Sequence, residues 1–244
     1  MAKYGWMTTD AWEDLGNRVG GDEGIRGHLS GSRISVEHDR KVTVSDQANG
    51  GISYVSGFDE SAFKADWTRH LDEVYGVKVD LSAVRMPKYR LGFGWGVVRV
   101  PELSGQRMFE VLTPRFNGKT WKWCVNIDEV LDPEKEARTT VSGPYVVLCR
   151  DRVEADEEHK NKSANDLVAG INCMTEPERI ALEGWFHWKT SGHLDIKNVT
   201  LSVGSRWRDG SVPGAFWYGS GGFCVRRYNA DDSSPGVRAR EVVS

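Results

Sequence analysis

The chain has 244 residues, 39% hydrophobic and 27% charged, enough for one sizeable core or two modest ones. A formal net charge of -3 and a pI near 6.1 exclude a general nucleic-acid binder, which needs basic charge clustered over a whole face. Four cysteines, Cys124, Cys149, Cys173 and Cys224, include no C-x-x-C pair, so spacing offers neither a zinc knuckle nor a dithiol redox motif; buried free thiols are expected.

The N-terminus has no apolar h-region and no later run approaches membrane-spanning length, so a soluble chain is expected, whether cytoplasmic, exported or virion-associated. Between residues 20 and 57, rich in Gly and Ser, Ile34-Ser35-Val36 and Lys41-Val42-Thr43-Val44 alternate as small strands do. Asp59 is a plausible N-cap, Phe58 and Phe63 have staple spacing, and Phe63, Trp67, Leu71 and Val74 share a helical face that Gly76 ends. Strands are expected at Val77–Leu81, Trp95–Val100, Met108–Leu112 and Trp121–Val125, giving a mixed or antiparallel sheet over 77–127.

The charged segment Asp128–Thr140, with Asp132-Pro133 inside it, interrupts that pattern and marks the expected boundary between an N-terminal region, 1–141, and a second domain, 142–244. Tyr145–Cys149 is a short apolar run suited to a buried strand, and Glu154–Asn165 a solvated loop or helix start. Thr175-Glu176-Pro177-Glu178 is a capping-box signature, followed by Ala181, Trp185 and Trp188 on one face of a helix that stops near Gly192. Asn198–Val203 alternates as a strand. Ala215–Tyr218 and Phe223–Tyr228 flank Gly219–Gly222 as a hairpin with a four-residue loop, and Val237–Val243 forms the last strand. The order is that of an α+β protein.

From Asn198 to Ser244 the chain has no lysine, yet it carries six arginines, seven glycines and six aromatic residues. Positive charge comes only from a planar group that stacks and forks hydrogen bonds, set among rigid aromatics, the palette of an adaptable binding surface. By strand alternation Phe223 and Val225 face the core, which leaves Cys224, Arg226 and Tyr228 displayed; Ala215 and Trp217 are taken as displayed on the preceding strand. Arg208, Ser211, Ser220, Asp231 and Ser233 add loop positions. Gly204, Arg206, Gly210, Pro213 and Arg240 read as frame, with Arg238 and Arg240 paired to acids of the fold.

The run Asn198–Pro213 with its Gly204-Ser205-Arg206-Trp207, Asp209-Gly210 and Val212-Pro213 pieces, the aromatic hairpin, and the closing Val237-Arg238-Ala239-Arg240 resemble the C-terminal variable region of proteins diversified by diversity-generating retroelements, the archaeal and candidate-phylum members above all. The resemblance covers about residues 142–244. It implies a C-type lectin-like domain of two helices, paired terminal strands and a short-stranded sheet; residues 1–141, by their own pattern, are an N-terminal α/β-mixed extension. It also implies a variable region over about 200–244, rewritten at adenine-containing codons, in a non-catalytic ligand-binding protein. Its partner would be a protein or cell-surface ligand, with no nucleic acid or membrane involved; a monomer is favoured.

Chemistry beyond recognition finds little support. The Glu-Pro-Asn and Trp-Asn-Asp triplets of calcium-dependent sugar lectins are missing, and Glu176-Pro177-Glu178 is better explained as a helix cap. No metal site, cofactor or catalytic residue is expected, and His187, embedded in Trp185-Phe186-His187-Trp188, reads as structural. The alternatives are an enzyme of the formylglycine-generating type, for which the tail's single Cys224 is a poor fit to the required cysteine pair, and a viral or adhesion structural module.

Overall fold

The computed structural model describes residues 59–219 and 221–244, together with the backbone of two strands nearer the N-terminus. Contacts divide the chain into two units, Met1–Asp59 and Glu60–Ser244. In the first unit β1 (Arg33–Val36) pairs antiparallel with β2 (Val42–Ser45), where short strands are expected from alternation.

The second unit begins with α1 (Glu60–Tyr75), whose Trp67, Leu71 and Val74 recur at helical spacing and are buried. Gly76 ends it in the left-handed region at φ 68°. Phe58, half of the expected staple, lies outside the described residues. Val77–Leu81, expected as a strand, is a loop in which the Val77 N–H caps α1 through the Leu71 carbonyl.

β3 (Trp95–Arg99) forms as expected. Met108–Leu112 does not: it lies within α2 (Gly105–Arg115), N-capped by Ser104, with Met108, Phe109 and Leu112 inward at spacings that suit a helix. The apolar run around Trp121 shrinks to β4 (Thr120–Lys122), followed by the single-turn α3 (Ile127–Val130). β5 (Tyr145–Cys149) precedes a 3₁₀ turn at Glu157–His159 and α4 (Ala164–Val168).

α5 (Glu176–Thr190) carries the expected capping box between Thr175 and Glu178, and Ser191 in the left-handed region closes it. The chain ends in β6 (Val199–Leu201), β7 (Val212–Tyr218), β8 (Gly222–Tyr228), β9 (Val237–Ala239) and β10 (Val242–Val243).

The strands form two sheets in this unit, β10-β5-β3, all antiparallel, and β4-β8-β7-β6-β9, in which β4 runs parallel to β8 and β6 parallel to β9. The protein is therefore α+β. The expected final strand is split between the two sheets, with Arg240 and Glu241 at the crossing. Val242 and Val243 pair with Cys149 and Leu148, so the first strand after residue 142 lies beside the last.

α5 packs on β3 of one sheet and β7 of the other. It is buried around most of its circumference, which explains why its charged side chains are paired. Arg179 bridges Glu183 and Asp195, each at 2.9 Å, and Arg240 reaches Asp195 at 2.7 Å from the other side; all four side chains are sealed from solvent. Arg238 pairs with Glu157. The two tail arginines thus meet acids of the fold.

The segment expected as a domain boundary lies inside the second unit. Asp132 and Ala137 donate backbone hydrogen bonds to the carbonyls of Arg206 and Gly204, Leu131 bridges Trp207, and Arg138 binds the Glu178 carboxylate.

Candidate functional site

Two sides of the five-stranded sheet have different fates. Thr120, Phe223, Val225, Ala215, Trp217 and Thr200 point to the helices: Phe223 stacks near Phe109 and Phe116, and Trp217 packs on Phe116 and His193. Trp121, Cys224, Arg226, Phe216 and Tyr218 lie on the outer side.

That outer side is itself divided. At β6, β9 and the start of β7, Leu201, Val237, Ala239 and Val212 are covered by Ala164 and Leu167 of α4 and by Cys173, with Tyr228 packed against the cluster. At β4, β8 and the far end of β7 nothing among the described residues covers it. Trp121 is 46% exposed and Tyr218 62%, and Arg226 lies exposed between them and the buried Phe216. The Arg226 guanidinium sits 5.3 Å from the Trp121 ring and 5.7 Å from the Phe216 ring, within cation–π reach of both. No hydrogen bond or ion pair engages it among the described residues.

A second arginine–aromatic pair lies nearby: Arg227 stands 5.4 Å over the half-exposed Trp123 and donates to Asp209 at 2.7 Å and Ser211 at 3.0 Å.

The hairpin turn decides which side chains are displayed. Gly222 pairs with Tyr218, so the loop holds three residues rather than the expected four. Gly222 has φ 102°, and a Cβ there would collide with the Lys119 carbonyl, so only glycine lets β8 start this early against β4. One residue of register turns every side chain of β7 over. Trp217 therefore pairs with Phe223 and Ala215 with Val225, both on the inner side, while Phe216 and Tyr218 take the outer one.

Of the expected display residues, Arg226 is exposed on the open face, and Arg208, Asp231 and Ser233 are exposed on loops. Ala215 is corrected to fully buried, and Trp217 to half-buried on the helix side. Cys224 is on the outer side yet 5% exposed, beneath its neighbours, and burial pushes its thiol up, the opposite of an activated nucleophile. Ser211 is buried, with its hydroxyl on the Asp209 carboxylate. Tyr228 is half-buried over the apolar cluster, lying so close across Gly214 that a Cβ there would stand 2.8 Å from its ring. Burial pushes its phenol up to about 12. Ser220 lies outside the described residues.

Sequence reasoning missed Trp121, Phe216 and Tyr218. The available signal was Trp121-Lys122-Trp123, whose alternation puts both indoles on one side of an extended strand.

Two of the histidines are engaged structurally: His187 Nδ1 meets the Gly192 carbonyl at 3.1 Å and His193 Nδ1 the Glu183 carboxylate at 2.9 Å. Among the described residues no three His, Cys, Asp or Glu side chains converge as a metal ion would require, and no helix is long and apolar enough to cross a membrane. Comparison with known proteins brings no family model, no curated protein and no solved structure that matches the chain.

Proposed function

We propose that this chain is a non-catalytic binding protein that presents its C-terminal strands as a contact surface on a C-type lectin-like fold, with side chains varied by a diversity-generating retroelement. The observation that carries the reading is the Arg226 guanidinium, within cation–π reach of Trp121 and Phe216 on a sheet face that nothing among the described residues covers, and engaged by no acid among them. Exposed Tyr218 extends that face; Arg208, Asp231 and Ser233 add exposed loop positions, Arg208 beside Glu129 and Asp231 beside Asn165 of α4. Tryptophan, tyrosine and arginine dominate the energetics of protein recognition because they give large, rigid contact area and oriented donors.

The frame suits the role. A display surface that changes must leave the fold standing, and here stability resides in the Arg179–Asp195–Arg240 lattice and the sealed half of the sheet. The ligand would be a protein or a cell-surface group. Trp121 lies upstream of the proposed variable region, so it would be a constant part of the site.

The locus tests the diversification. A reverse-transcriptase gene should lie nearby, with a near-copy of the DNA encoding about residues 200–244 that differs chiefly at adenines; a locus with neither overturns it.

A further inference from the structure

A cavity of about 210 Å³ opens beside the N-terminus of α2. Arg99, at the end of β3, lines it and is only 4% exposed. Its guanidinium donates to the Leu103 carbonyl at 2.7 Å and touches the Met108 sulfur, but Nε has no partner. It forms no ion pair among the described residues. The closest acidic influence on it, the Glu178 carboxylate, is beyond ion-pair distance and already paired with Arg138, and burial is the largest effect on its charge. A buried arginine so weakly compensated costs several kcal/mol by the order of magnitude of ion desolvation, so such a site favours an anion.

The other charges in the wall are already engaged. Arg138 is held by two bonds to Glu178, 2.7 and 2.9 Å, and Tyr145 also donates to that carboxylate at 3.0 Å. Arg208 Nε donates to the Glu129 carbonyl, and the Asp128 carboxylate accepts the Gln106 N–H at the start of α2. Glu136 does not neutralise Arg99 at neutral pH, because burial, with Glu178 and Glu176 close by, pushes its carboxyl up to about 8. Its Oε1 is buried and, like Arg99 Nε, has no partner. Arg99, Arg138 and Arg208 thus stand against Asp128 and Glu178, which leaves one positive charge.

A single surplus charge beside two acidic side chains suits a monoanion and repels a dianion. Leu131, Pro133 and Pro177 give the remaining wall apolar surface, which suits a short carbon skeleton. We propose that this cavity binds the carboxylate group of a small monoanionic organic acid, with Arg99 as its counter-charge. None of Trp121, Phe216, Tyr218 and Arg226 lines it, while the exposed loop residue Arg208 does.

Acetate is the probe, titrated into the full chain at constant ionic strength by calorimetry and by thermal melting, with chloride as baseline and inorganic phosphate as a second arm. Saturable acetate binding is expected in about the millimolar range, the scale for so few atoms, together with a rise in melting temperature. Arg99→Gln should weaken it at least tenfold. Thr139→Trp, an exposed residue lining the cavity, should block the site without touching Arg99, and it decides the matter if Arg99→Gln fails to fold. Acetate acting no differently from chloride, unchanged binding in either folded variant, or phosphate binding as tightly as acetate would each overturn the proposal.

Discussion

Arg240 and Arg226 belong to the same lysine-free tail and meet opposite environments. Arg240 is 1% exposed and donates to the Thr200 hydroxyl, the carbonyls of Arg152 and Val153, and the Asp195 carboxylate. Arg226 is exposed, with two aromatic rings against its guanidinium and no hydrogen bond among the described residues. A planar, always charged fork serves both ends: surrounded by acceptors it locks elements together, and laid on rings it is presented for use. Composition alone cannot separate the two roles. The difference is made by a chain crossing between sheets at Arg240 and by a strand at Arg226 that no described residue covers.

The frame should break hardest at its shared acid. Asp195→Ala removes the carboxylate that serves both Arg179 and Arg240, leaving buried charge uncompensated; a loss of about 3–5 kcal/mol is expected. By thermal or urea unfolding that amounts to roughly ten degrees or more of melting temperature. A loss under about 1 kcal/mol would mean that the lattice is not what holds the sheet to α5. Gly222→Ala attacks the register instead: positive φ and the collision with the Lys119 carbonyl predict about 1–3 kcal/mol, measured the same way. A neutral result would show that the three-residue loop is not enforced by this glycine.

A subtler test of the frame uses pH. Burial pushes the Glu176 carboxyl from its ordinary 4.5 up to about 7, and its Oε1 has no partner while Oε2 accepts the Ser202 hydroxyl. Between about pH 4.5 and 7 the folded state therefore holds a proton that the unfolded chain has lost. Stability from this group falls as pH rises through that window and levels off above it. His70, buried and pulled down to about 3, acts in the opposite direction, since it must stay neutral in the fold. The difference between wild type and Glu176→Gln isolates the carboxyl: the wild type's advantage should shrink from pH 5 to 7. Parallel stability curves would remove Glu176 from the account.

Much of the fold was legible where short-range chemistry decides it. The capping box at Thr175–Glu178, the helical spacing of Trp67, Leu71 and Val74, the alternation of Phe223 and Val225, and the apolar run Tyr145–Cys149 all specify their elements locally. Met108–Leu112 failed because a five-residue apolar run fits either period, and the decisive Ser104 cap stands outside it. The display face was half legible for a similar reason. Arg226 followed from alternation within its own strand, whereas Phe216 and Tyr218 depended on one residue of turn length, set by the approach of Lys119 from β4. That β4 joins β8 at all is a long-range pairing with no mark in the local sequence, so Trp121 could not be placed beside Arg226.

The smallest expected stability effect is the one that separates the two arginines most sharply. Among the described residues Arg226→Ala removes no side-chain hydrogen bond and no ion pair, so its stability should match wild type to within about 0.5 kcal/mol. The same holds within a factor of two for Trp121→Ala, whose ring is already half in water. Size-exclusion chromatography with light scattering then decides what the face is for, because a surface that serves to receive a separate ligand leaves the mass of the protein unchanged when it is altered. Both variants should elute as wild type does. If wild type is an oligomer and either substitution dissociates it, the rings and Arg226 are an interface between copies of the chain, and the face belongs to assembly. Arg226→Lys refines the same contrast: it keeps the charge and loses the planar fork, so a ligand recovered by selection against wild type should bind it as weakly as Arg226→Ala if stacking and forked donors carry recognition, and nearly as well as wild type if charge alone does.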